Sequence, residues 1–183
     1  MTNEKLIPIK VPNGTYYLPL IAIDKMIDTI GKAHISGREH GFNLCIDEKD
    51  NIIKPGDVCK GEACAIETSE FKCKGNERNI GIFHTHIEKS YPSMSDLSVG
   101  YLVGMNCIGS NEEIKCFARK NDFDALAFAD IKNVKYKEEQ TVGDHSRWRH
   151  KEIGDRKYRS IYSKYEKEVD RIIDKYFNTI KVR

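Results

Sequence analysis

The chain reads as an α+β protein. A mixed central β-sheet carries a long N-terminal helix, a helix after a His-rich strand, and a charged amphipathic helix near the C-terminus. Three observations predict this. Apolar residues recur at helical spacing at positions 20, 23, 26, 27 and 30, and again at 158, 162, 165, 169, 172 and 176. Between these two stretches lie short runs rich in β-branched and aromatic residues, separated by polar turns. After residue 137 the composition shifts to charge, which divides a core domain, 1–137, from a helical extension, 138–183.

Taken in order, residues 5–18 are β-formers interrupted by "PNG", a hairpin signal. Pro19 suits the start of the first helix and Gly31 its end. "HGFNLCIDEKDNII" reads as two strands joined by a turn at 47–50, and "DVCKGEACAIET" as another strand. "NIGIFHTHI" has the β-branched content of a central strand, and "SMSDLSVGYLVGM" is helical. "NCIGSNEEIKCFAR" forms a hairpin whose turn near Asn111 and Glu112 sets Cys107 opposite Cys116. "DALAFADIK" is expected as a last strand. The C-terminal apolar stripe covers only about three heptads, so packing on its own domain is favoured over a coiled coil.

Bulk properties remove several classes of function. Thirty Lys and Arg nearly balance 28 Asp and Glu, for a net charge of +2. A nucleic-acid binder usually carries a strong basic excess. No segment approaches the ~20 apolar residues needed to span a bilayer, and "MTNEKLIPIK" lacks the apolar core of a signal peptide. The expectation is a soluble cytoplasmic protein with neither nucleic acid nor membrane as partner. Cys45, Cys59, Cys64, Cys73, Cys107 and Cys116 include no Cys-x-x-Cys pair, which argues against a zinc ribbon or thioredoxin motif. They are expected as free buried thiols. Cys107 and Cys116 could form a bridge where the compartment permits, as it does in hyperthermophiles.

The chemistry concentrates in "GIFHTHIEKSYPSMSDLS", residues 81–98. Side chains alternate across a strand, so His84 and His86 share one face while Phe83 and Thr85 take the other. Ser93 and Asp96 have the spacing of a helix cap with an acid three residues on. Taken alone they would only start the helix. With His-x-His upstream, the short loop from Ile87 to Pro92 must fold the helix start back toward the strand end. That gathers His84, His86 and Asp96 as three protein ligands, with a fourth position open to water as in catalytic zinc sites. A two-His, one-carboxylate iron site uses the same ligand types. A barrel amidohydrolase also uses His-x-His, but that fold needs ~250 residues.

His84-x-His86 followed by Ser93-x-x-Asp96 resembles the signature of the JAMM (MPN-plus) metallopeptidases, over roughly residues 15–130. There are two departures. Ile87 stands where the family usually has Pro, and the gap from His86 to Ser93 is about one residue shorter than in its commonest members. The resemblance implies an α/β/α-like MPN fold, Zn²⁺ as cofactor, and a glutamate after the first long helix. Glu39 fits that description better than Glu62 or Glu67, which lie on a later predicted strand; His40 beside it should face the other way. The implied roles are Glu39 as general base and then acid, and Ser93 as hydrogen-bond donor to the developing oxyanion. The implied activity is hydrolysis of peptide or isopeptide bonds at the tail of a ubiquitin-like modifier, its conjugate, or a sulfur-carrier protein. Members that have lost the metal ligands serve as scaffolds. The alternative kept beside the enzyme is therefore an MPN-type assembly subunit, with a homodimer or partner contact through the C-terminal helix.

Overall fold

The computed structural model describes residues 6–47, 49–60, 73–87 and 91–183. Strands β1 (Ile7–Val11) and β2 (Gly14–Leu18) form the expected hairpin. Helix α1 (Leu20–Ser36) follows, with Ala22, Ile23, Met26, Ile30 and Ala33 on its buried face. It runs past Gly31, the expected end. Gly37 closes it instead, at φ 62°, in the left-handed region that terminates helices and favours glycine.

The remaining strands are β3 (His40–Ile46), β4 (Ile53–Pro55), β5 (Cys59–Lys60), β6 (Arg78–Thr85), β7 (Met105–Gly109), β8 (Ile114–Arg119) and β9 (Phe177–Lys181). They build one sheet in the order β4-β3-β6-β7-β8-β9, with β5 also on β3. Among the described strand pairs of this sheet only β6 and β7 run parallel. Helix α2 (Met94–Val103) lies between these two in the chain, so β6-α2-β7 is the crossover unit that a parallel pair requires. The strand bearing the histidines is central, as its composition predicts. The strand expected from 57 to 68 is described only at Cys59–Lys60; the rest of it lies outside the described residues.

One expectation about the C-terminal third is corrected. "DALAFADIK" opens helix α3 (Ala125–Arg149) rather than forming a strand. The side chain of Asp124 accepts from the backbone N–H groups of Leu126 and Ala127, and the buried Ala127, Ile131 and Val134 repeat at three and four. A short apolar run cannot be told from a strand by alternation alone, and here the cap decides. The division placed at 137 falls inside α3. Helix α4 (Asp155–Tyr176) then leads into β9, which pairs with β8, so the last residues complete the main sheet.

The sheet separates two cores. On the α1 side Phe42, Leu44, Phe83, Met105, Cys107 and Cys116 pack with the helix. On the other side α2, α3 and α4 meet Ile108, Phe117 and Phe177. Val169 and Ile172 of the C-terminal stripe are fully buried there, so that half of the stripe packs on its own domain. Cys107 and Cys116 face each other across β7 and β8 and are bridged, with Cα atoms 4.0 Å apart. Cys45 is bridged to Cys73. The reading of the cysteines as free thiols is thus overturned for those described, none of which is free. Among the described residues no helix is long and apolar enough to cross a membrane.

Candidate metal centre

His84 is the penultimate residue of β6, which ends at Thr85, and His86 follows the strand by one residue. The backbone N–H of His86 donates to the Gly109 carbonyl at 2.9 Å, which extends the parallel pairing with β7 and keeps the strand alternation through both histidines. Their rings therefore turn to the α2 side, as expected, while Phe83 enters the α1 core. Opposite His84 on β3 stands Gly41. A Cβ at Gly41 would lie 2.6 Å from the Phe83 carbonyl oxygen and 3.2 Å from the His84 Cβ. Only glycine leaves room for the strands to approach and for the imidazole to sit between them.

Asp96 comes from the first turn of α2. Ser93 caps that helix: its Oγ accepts from the Asp96 N–H at 3.1 Å, and Asp96 Oδ2 accepts from the Ser93 N–H at 2.8 Å. The same reciprocal cap that starts the helix fixes the carboxylate. Capping and metal ligation are therefore compatible roles for Asp96. Asn106 on β7 donates to the Asp96 carbonyl at 2.9 Å and ties this turn to the sheet.

The three side chains converge. His84 Nε2 is 3.0 Å from His86 Nε2 and 3.1 Å from Asp96 Oδ1, and His86 Nε2 is 3.3 Å from Asp96 Oδ2. A tetrahedral zinc ion with bonds of 2.0–2.1 Å sets its ligand atoms about 3.3 Å apart; here the two histidines meet different oxygens of Asp96, and one donor atom from each residue lies within 4.8 Å of the others, a group that could hold a metal ion. The donor and acceptor roles of the two imidazoles depend on their tautomers; a central cation would let all three groups act as lone-pair donors. His84, His86 and Asp96 are the one group of this kind among the described residues.

Burial alone would raise the pKa of the Asp96 carboxyl. The adjacent imidazoles of His84 and then His86 outweigh it and hold the group well below the usual carboxylate range. An ionised Asp96 is what ligation requires. The other ring nitrogen of His84, Nδ1, is buried and makes no hydrogen bond among the described residues.

Glu39 precedes β3 and is exposed. Continuing the antiparallel register of Gly41 with His84 by two residues sets Glu39 opposite His86, and both line one cleft of about 760 Å³ together with Ser93. The resemblance-based choice of Glu39 is thus brought to the same opening as two of the other candidates. Glu62 and Glu67 lie outside the described residues. His40 turns away, as expected: its Nε2 is 2.9 Å from Ser36 Oγ on the α1 side.

The far wall of the cleft comes from α3 and α4, through Glu138, His145, Tyr158, Tyr162 and Tyr165. Sequence reasoning missed this wall. Glu138 Oε1 accepts from the Met94 N–H at 3.0 Å and from the Tyr165 hydroxyl, clamping the start of α2 to both C-terminal helices. Tyr91 donates to Asp170 at 3.0 Å and ties the preceding loop to α4. Burial first, and then these carboxylates, push the Tyr91 and Tyr165 phenols up, so both remain donors. A signal for Glu138 was present: Ile131, Val134, Glu138 and Thr141 share one helical face, which makes Glu138 a carboxylate on a buried stripe. No protein-family model matches the chain, and no curated protein matches it.

Proposed function

We propose that the protein is a zinc-dependent hydrolase of peptide or isopeptide bonds with a JAMM-type constellation, acting at the C-terminal tail of a ubiquitin-like modifier or sulfur-carrier protein. The observation that supports this most is the convergence of His84, His86 and Asp96, whose donor atoms lie within 4.8 Å of one another, beside a cleft lined by His86, Glu39 and Ser93. His84, His86 and Asp96 would hold the zinc. The ion would supply Lewis acidity toward an amide carbonyl and bring the pKa of water from about 15.7 to roughly 7.

The chain's own groups do the rest. Glu39 takes a proton from the attacking water and returns it to the leaving amine. Its exposure at the cleft rim leaves it free to meet both. Ser93 Oγ already accepts from the Asp96 N–H, so its remaining O–H proton is available to the oxyanion, a contribution of about 3 kcal/mol. The wall formed by α3 and α4 restricts water and holds an extended tail along the cleft.

Elemental analysis of protein purified without chelator should find about one zinc per chain, and Asp96→Asn should weaken its retention. With a fusion ending in a ubiquitin-like Gly-Gly tail as substrate, Glu39→Gln should retain zinc and lose roughly 10²- to 10⁴-fold in turnover. Iron in place of zinc would favour the two-His, one-carboxylate iron reading. A Glu39→Gln protein that cleaves as fast as the parent would sink the assignment of Glu39.

A further inference from the structure

The aromatic wall of the cleft is larger than a water-activating centre requires. Tyr158, Tyr162 and Tyr165 follow one another along one face of α4, with ring centroids 6.1 Å and 6.3 Å apart, and Trp148 of α3 stacks on Tyr158 at 5.0 Å. Farther along the same stripe Val169 and Ile172 are fully buried, whereas Tyr162 is 41% exposed. The tyrosines therefore present ring surface to the cleft rather than only sealing the helix pair.

Within the cleft the acidic side chains Glu39 and Glu138 accompany those rings, while Lys137, Lys164 and Lys167 line a separate groove that shares Tyr165. Glu138 lines the cleft, and its two donors, the Met94 N–H and the Tyr165 hydroxyl, are both neutral, so its charge is not cancelled by them. Asp170 sits on the Tyr91 hydroxyl, and Glu166 and Glu138 add to the field that raises the phenol pKa values, after burial. Among the described residues lining the cleft there is no lysine or arginine. An apolar side chain placed here would desolvate carboxylates without compensation. A cation would meet ring faces and negative charge together.

We infer that the tyrosine arm of the cleft is a specificity subsite for a lysine or arginine side chain of the bound peptide. This deepens the peptidase reading and rests on it for the peptide nature of the ligand. The flexible stem of a lysine packs along Tyr158 and Tyr162 while its ammonium group lies toward Glu138. The subsite selects substrate and takes no part in proton transfer.

The test is a binding measurement that needs no turnover. Trp148 is the sole tryptophan in the chain and touches Tyr158, so its emission reports occupancy of the arm. Acetyl-Gly-Xaa-Gly-Gly amides with Xaa as lysine, norleucine or glutamate are titrated into the full chain, in EDTA and again with zinc. The lysine peptide should bind at least about fivefold more tightly than the norleucine peptide, and the glutamate peptide most weakly. Tyr162→Phe, which keeps the ring, should preserve that preference; Tyr162→Leu should reduce it below about twofold. The inference is overturned by equal binding of the norleucine peptide, by tighter binding of the glutamate peptide, by no saturable binding of the lysine peptide, or by a preference that survives Tyr162→Leu. A protein that shows the preference but never cleaves the Gly-Gly fusion keeps the subsite and loses the peptidase reading. Cleavage without the preference does the reverse.

Discussion

Along β6, Phe83 points toward α1 while His84, one residue on, points toward α2. Phe83 is fully buried and packs 5.0 Å from Phe42, ring centroid to ring centroid. The α1 face holds an apolar core and the Cys107–Cys116 bridge. The α2 face holds three imidazoles, three carboxylates and a row of phenols around an open cleft. Strand alternation thus lets one element anchor the fold and present the candidate metal ligands, with a single residue step between the two. Changes on one face should register in stability, and changes on the other in ligand binding.

The sharpest test contrasts neighbours on β6. Phe83→Ala should destabilise the protein by about 3–5 kcal/mol in urea unfolding, while the fraction that stays folded still retains zinc. His86→Ala should abolish zinc retention yet change metal-free stability by less than about 1 kcal/mol, because the lost ring is partly exposed. Comparable losses of metal-free stability in the two variants would break the division between faces.

Next in size is the bridge on the α1 side. It closes a short loop, and replacing Cys107 and Cys116 together with Ala should cost about 2–3 kcal/mol. Zinc retention should not change. Thiol titration of the unfolded, unreduced parent checks that the bridge is present, and free thiols at these positions would remove the basis of the prediction.

Gly41→Ala sharpens the comparison at the point where both faces meet. The added methyl group presses on the Phe83 backbone and on His84 at once. A cost of about 1–3 kcal/mol is expected, with weaker zinc retention alongside it. A stability loss with unchanged metal affinity would show that the sheet absorbs the strain without moving the imidazole.

The smallest effect belongs to the contact between α3 and α4. Asp130 on α3 accepts two hydrogen bonds from Arg171 on α4, both at 2.9 Å, and one from Tyr176. The Arg171 bonds, aided by Tyr176, hold the Asp130 carboxyl well below its ordinary range despite some burial. A depressed native pKa contributes stability above the unfolded value of about 4 and loses it as pH falls through the native value. Arg171 is 40% exposed in its side chain, so Asp130→Asn should cost about 1 kcal/mol or less at pH 7. The gap between variant and parent should close as pH drops below about 4. A gap that persists in acid would assign the effect to packing instead of charge.

Local chemistry carried much of this in the sequence. Two-residue alternation put His84 and His86 on one face, a cap at three-residue spacing set Asp96 at the start of α2, and hairpin register aligned Cys107 with Cys116. Each of these is decided within about ten residues, by backbone geometry alone. The end of α1 and the state of "DALAFADIK" were misread because a helix tolerates an exposed Gly31 and because a short apolar run is ambiguous until its Asp124 cap is counted. The rest depended on contacts between distant segments. Glu39 reaches the cleft only because β3 pairs with β6 in the register of Gly41 with His84. Glu138 grips Met94 across 44 residues, and β9 joins the sheet after two helices have folded back. No local period encodes such pairings; they follow from which apolar faces can be buried together, and that is settled only when the whole chain packs.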